Sequence, residues 1–252
     1  MEPQTRFFIA MQEKSIKAVD STAERNLSEQ IAEQIGECVI RGQLTAGTRL
    51  LEVQLAQELA VSRGPIREAL RILEKRRLAR ILSRRGAVVT DLSPTEIVCL
   101  YDVIVPLYEL LTRKTAENWT PTDLPPIYTV IERLSESAKG GDIEGYYENN
   151  FAFARACSPI ADNSLLADML SDLEPGLRRV LYLSWERRTQ EIEQHFSLLR
   201  QLIRLVTERE GLAAARIIRE LGELEKQLAL ESCVTGATTN LRRYKTTRTP
   251  ER

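Results

Sequence analysis

The stretch "VSRGPIREALRIL", residues 61–73, places arginines at 63, 67 and 71 while keeping Ile66, Ala69, Leu70 and Leu73 apolar. On a 3.6-residue turn, side chains four apart stack along one side, so the arginines share one face and the apolar set another. The spacing therefore predicts a helix with one buried and one charged face. Ser62 is a residue type that caps helix N-termini, and Pro65 stands in the first turn, where a missing N–H does no harm. The pattern ends near Arg76.

Upstream, apolar residues at 27, 31, 35, 38 and 39 form a helical stripe that stops at Gly42. "QLTAGTRL" reads as a turn, and "LEVQLAQELA" as a short second helix with Leu51, Leu55 and Leu59 on one side. Downstream, "ARILSRRGAVVTDLS" holds two β-rich runs around "SRRG", the pattern of a short hairpin. Helix, helix, turn, helix, hairpin is a winged helix-turn-helix, whose third helix enters the DNA major groove. Between Arg63 and Arg85 stand nine basic residues against two acids, although the whole chain carries only −1. A solvated charged face would explain such a run alone; inside this motif it reads as an electrostatic footprint for phosphate.

After Asp91 the pattern is fully helical. "LSPTEIVCLYDVIVPLYELLTRKTAENW" opens with a capping-box-like Ser93 and Glu96 and contains Pro106, where a kink is expected. Five more helical segments follow, one closed by Gly140 and Gly141, another expected to bend at Pro175–Gly176, and a last antiparallel pair split near Gly211. The fold class expected is thus mainly α: a winged helix-turn-helix at 26–91 and a helical bundle at 92–233. Residues 1–25 and 234–252 lack periodicity and are expected to be flexible, the latter as a basic tail.

Composition narrows the function class. No apolar run reaches the roughly 20 residues a membrane span needs, and the N-terminus lacks a secretory apolar core. Cys38, Cys99, Cys157 and Cys233 are scattered without a C-x-x-C, which reads as reduced and cytoplasmic. With no G-x-S-x-G, no Gly-rich phosphate loop and one histidine, no catalytic constellation is legible, and an enzyme is not expected.

Residues 41–89, "RGQLTAGTRLLEVQLAQELAVSRGPIREALRILEKRRLARILSRRGAVV", closely resemble the N-terminal domain of GntR-family transcription regulators. Gly42, Leu44, Gly47, Leu50, Leu55–Ala56, Leu59 and Val61 through Leu70 match the family core. The resemblance assigns DNA roles to Ser62, Arg63, Gly64 and Arg67, with Gly86 at the wing tip. Arg63 and Arg67 would read bases or clamp phosphates, Arg71 would touch the backbone or merely be exposed, and Arg84 and Arg85 would reach a minor groove or its phosphates. Two departures stand out: Val53 in place of a common polar residue, and Arg77 where a glycine usually follows the recognition helix.

The helical part resembles the FCD domain of the FadR-like subgroup, which implies a divalent metal held by one Asp and three His. Here the aligned positions are Asn150, Ala154, His195 and Leu221, so no metal and no cofactor is expected. The Arg and Glu that usually face the effector become Ile104 and Tyr108. A cavity lined by Ile104, Tyr108, Asn150, Ala154, His195 and Leu221 would suit a fairly apolar small molecule. The competing readings are ordinary core packing for Tyr108 and Asn150 and a satisfied histidine at 195. The resemblance implies a homodimeric regulator, in the main a repressor, on a pseudo-palindromic double-stranded operator, with an effector-binding C-terminal domain. The alternative is a constitutive dimeric DNA-binding protein whose C-terminal domain only dimerises.

Overall fold

The structure, a computed structural model, describes residues 24–82, 86–185 and 192–246. The chain forms two compact units: Met1–Leu92 together with Ser171–Val180, and Ser93–Leu170 together with Leu181–Arg252.

In the first unit, α1 (Glu24–Ile40) is followed by β1 (Arg49–Leu50), α2 (Glu52–Glu58), α3 (Arg63–Lys75), β2 (Ala79–Leu82) and β3 (Gly86–Val89). The predicted apolar stripes form its core: Ile31, Ile35 and Val39 of α1 are buried with Leu55 of α2 and Ile66, Ala69, Leu70 and Leu73 of α3. Leu51 departs from expectation, because it occupies the N-cap of α2 and is exposed. The expected hairpin is β2–β3, antiparallel with Leu82 opposite Gly86. A third strand, β1, pairs with β3 and makes the order β1-β3-β2. Its two residues lie inside the segment read as a turn; a two-residue strand carries no period to detect.

Both tight connections use left-handed residues. After α2, Ala60 adopts φ 53°, with Val61 N–H donating to Ala56 O and Ala60 N–H to Gln57 O. After α3, Arg77 adopts φ 61°, with Leu78 N–H donating to Leu73 O and Arg77 N–H to Glu74 O. These paired bonds satisfy the last helical carbonyls, a closure usually built on glycine. The arginine noted at this place in the sequence thus stands in a backbone conformation that disfavours a Cβ. Also within this unit, Arg179 donates to the hydroxyl and carbonyl of Thr90 at 3.1 and 3.0 Å, and Lys75 pairs with Asp172 at 2.8 Å.

The second unit contains α4 (Pro94–Asn118), α5 (Leu124–Gly140), α6 (Ile143–Cys157), the ends of α7 (Ser164–Trp185), α8 (Ile192–Thr207) and α9 (Gly211–Thr246). The capping box at Ser93 and Glu96 forms as expected. Pro106 and Pro175 each lie inside a continuous helix. Gly141 ends α5 in the left-handed conformation. α9 packs along α4 so closely that a Cβ on Gly222 would lie 2.4 Å from Val105 Cγ2. Arg209 closes the far end of α4, donating to the Glu117 and Trp119 carbonyls at 2.8 Å each. The same guanidinium covers the Trp119 ring at 4.3 Å.

One boundary is corrected: α9 continues to Thr246, past the position 234 where a tail was expected. Polar residues there hide the helical period on which that reading relied. The expectation for 1–25 falls almost wholly outside the described residues.

Candidate nucleic-acid interface and a buried polar network

The outer face of α3 is built by subtraction. Ile66, Ala69, Leu70 and Leu73 are buried, so the side chains between them must point outward. Arg63, Arg67 and Arg71 keep 59%, 55% and 62% of their side-chain surface exposed. Ser62 is the N-cap residue, but its hydroxyl makes no capping bond, contrary to the role its type suggests. A Cβ on Gly64 would have only the Ser62 hydroxyl near it, at 4.0 Å. Nothing within the unit demands glycine there. Arg71 pairs along the helix with Glu68 at 3.1 Å, an exposed pair of the kind that contributes little.

Arg63 and Arg67 converge on one acid that sequence reasoning missed. Glu52, the first residue of α2, accepts from Arg67 Nη2 at 3.1 Å, from Arg67 Nε at 3.5 Å and from Arg63 Nη2 at 3.3 Å. Its side chain is only 19% exposed. The Arg67 hydrogen bond, with help from Arg63, holds its carboxyl below the ordinary glutamate value despite partial desolvation. An acid in a helix's first turn is common and signals nothing alone. The clue lay in its distance from the arginines through the helix-turn-helix connection, which a linear pattern does not display.

At the wing, Gly86 proves to be the first residue of β3, with φ 81°. A Cβ there would lie 2.2 Å from Leu50 O, so glycine is required by the approach of β1. Arg84 and Arg85 lie outside the described residues. Val53 is exposed.

In the helical unit, Ile104, His195 and Leu221 are buried, while Tyr108, Asn150 and Ala154 are half-buried. His195 makes polar contacts with two other side chains. Tyr146 Oη lies 2.8 Å from its Nδ1, and Glu225 Oε1 lies 2.9 Å from its Nε2. In the Nε2–H tautomer every role fits: the phenol donates to Nδ1 and the ring N–H donates to the carboxylate. Tyr101 Oη donates to the other Glu225 oxygen at 3.5 Å, joining α4, α6, α8 and α9. Burial, with the Glu225 charge, raises the pKa of both tyrosines, so they stay protonated. Tyr146 lies one turn before Asn150, and Glu225 one turn after Leu221. The aligned positions therefore pointed along the right helices but one turn away from the side chains that meet the histidine.

This donor set does not fit the metal that the FCD resemblance implies. Both nitrogens of the one histidine are engaged, and Asn150, Ala154 and Leu221 bring no carboxylate or imidazole. Among the described residues no group of three or more His, Cys, Asp or Glu side chains could hold an ion.

Residues 27–89 match the model for bacterial regulatory proteins of the gntR family, and residues 99–223 match the FCD domain model. The chain is 29% identical over 171 residues to the gluconate operon transcriptional repressor of Bacillus subtilis (strain 168), covering 66% of this chain and 68% of that protein. It is 33% identical over 162 residues to the Bacillus licheniformis repressor of the same name, covering 63% of this chain and 65% of that one, just under two thirds. The solved structure of Escherichia coli McbR/YncC superposes with a TM-score of 0.70 at 20% identity, covering 81% of this chain and 97% of that one. A GntR regulator from Rhodococcus sp. RHA1 gives 0.63 at 19%, covering 80% and 96%. At such identities the structural likeness speaks for the fold.

Proposed function

The chain belongs to the GntR family of bacterial transcription regulators, with an FCD domain behind its winged helix, and from that premise we propose that it is a cytoplasmic, homodimeric repressor reading a pseudo-palindromic operator. It is a DNA-binding regulator rather than an enzyme, as its family and relatives are. The observation that carries the operator reading is the face of α3: three exposed arginines opposite a fully buried apolar stripe. Arg63 and Arg67 contact bases or phosphates in the major groove, Ser62 and Gly64 let the backbone approach, and Arg71 meets the strand or solvent. Arg84, Arg85 and the β2–β3 wing add contacts beside the groove. The gluconate operon repressors support repression by name.

The helical domain dimerises and takes a fairly apolar effector without metal, through Ile104, Tyr108, Asn150, Ala154, His195 and Leu221. Coupling of about 1–3 kcal/mol between effector and operator would change affinity roughly 5- to 150-fold. A second reading, constitutive DNA binding with a helical domain that only dimerises, is favoured by one observation: Tyr146 and Glu225 already engage both nitrogens of His195.

The test is selection from a randomised duplex pool with the full chain. One enriched pseudo-palindrome is expected, and Arg67→Ala should weaken it about 10- to 100-fold with the helical content unchanged. Absence of any enriched sequence refutes the operator reading. A thermal-shift screen against metabolites separates the two readings of the helical domain, since stabilisation by one compound requires a sensor.

A further inference from the structure

The surface that meets DNA carries an acid in its middle, which needs a reason. A carboxylate beside two groove-facing arginines weakens their pull on phosphate, so as a plain electrostatic surface the site would be better without Glu52. What it does instead is orient. Arg67 turns its Nε–Nη2 edge toward the two oxygens of Glu52, at 3.5 and 3.1 Å. That leaves the Nη1–Nη2 end of the guanidinium, the second of its two donor forks, pointing away from the carboxylate. Arg63 shares oxygen Oε2 through one nitrogen at 3.3 Å. The acid is the fixed member: its side chain is 19% exposed, against 59% and 55% for the arginines.

We propose that Glu52 is a positioning residue for base reading, gripping the side edge of Arg67 and tethering Arg63 so that the end of Arg67 meets O6 and N7 of one guanine in each half-site. The inference rests on the operator reading above and deepens it. Arginine presenting two parallel donors to guanine is the commonest specific contact in the major groove. A guanidinium held from one edge enters that contact already aimed. Specificity is gained and indiscriminate phosphate affinity is given up, because the cluster carries one positive charge fewer.

The experiment uses the full chain, the duplex enriched by the wild type and a scrambled duplex of equal length. Dissociation constants are measured for wild type, Glu52→Gln, Arg67→Ala and the double variant, with thermal unfolding of each. Glu52→Gln should bind the scrambled duplex as well as or better than wild type, while preference for the enriched duplex falls about 10-fold, the cost of a mismatched base pair. In the Arg67→Ala background the same substitution should cost no further preference. At one guanine per half-site, 7-deazaguanine should weaken wild type and leave Arg67→Ala unaffected. Unchanged preference in Glu52→Gln, losses that add in the double variant, or indifference to 7-deazaguanine at every position would each overturn the proposal. So would equal weakening on both duplexes with a lowered unfolding temperature, which marks a merely structural residue. If the wild type enriches no duplex at all, the operator reading itself fails and this one falls with it.

Discussion

The Tyr146 hydroxyl lies 2.8 Å from Nδ1 of His195, deep in a helical domain whose family resemblance leads one to look for a metal. With Glu225 on the other nitrogen, hydrogen bonds join helices that an ion would otherwise tie together. The consequence is a stability that depends on neutral phenols and one carboxylate.

Tyr146→Phe removes the donor to a buried imidazole and should cost about 1–3 kcal/mol, lowering the unfolding temperature of the helical domain by several degrees. Chelators should leave the wild-type temperature unchanged. A calorimetric scan with and without EDTA checks both, and a drop on chelation would restore a metal to this site.

The same network sets an alkaline limit. Tyr101 and Tyr146 have pKa values raised above the ordinary 10.0, first by burial and then by the Glu225 charge. The folded chain therefore holds these protons where the unfolded chain releases them. Their stabilising contribution is complete below pH 10 and is lost as pH rises above it. Denaturant titrations across that range should show stability falling, with a shallower fall in Tyr101→Phe. An equal slope in wild type and variant would show that this phenol does not contribute.

Arg77→Gly should stabilise the first unit by about 1 kcal/mol, because φ 61° suits glycine and strains a residue with a Cβ. The unfolding midpoint in urea should move up. Affinity for scrambled duplex should fall slightly, through loss of one positive charge from the winged-helix unit. A lowered midpoint would mean that the arginine side chain contributes more than its backbone costs.

Gly86→Ala should do the opposite. Its Cβ would enter at 2.2 Å from Leu50 O, backbone that cannot swing aside, so β1 or β3 must shift. A loss of roughly 2–4 kcal/mol is expected from overpacking plus the left-handed φ. Unfolding and duplex binding, measured together, would show whether the wing loses its strand pairing. Near-wild-type behaviour in both would contradict the close approach of β1.

Much of the fold was legible because burial writes periodicity into sequence. The stripes of α1 and α3, the hairpin runs and the capping box at Ser93 are local patterns, and each formed where it was read. β1 was not legible because two residues have no period, and the end of α9 was not because its last turns are polar. The arginines of α3 could be found from helical spacing alone, whereas Glu52 could not: it meets Arg67 across fifteen residues and a reversal of direction. Tyr146 and Glu225 were hidden differently. Likeness to a metal motif directs attention to Asn150, Ala154 and Leu221, and the side chains that meet His195 stand one turn off Asn150 and Leu221.

The middle of α7 has a practical bearing on how the molecule can be taken apart. Residues 171–180 belong to the same compact unit as the winged helix, although some eighty residues of chain separate them from Leu92. A fragment cut after Leu92 would carry the whole DNA-reading motif yet lack Arg179 and Asp172, so Thr90 would lose the guanidinium and Lys75 the carboxylate that each meets in the intact chain. Domain-swap chimaeras joined at that seam would inherit the same deficit, and grafting α7 along with the N-terminal portion is the remedy.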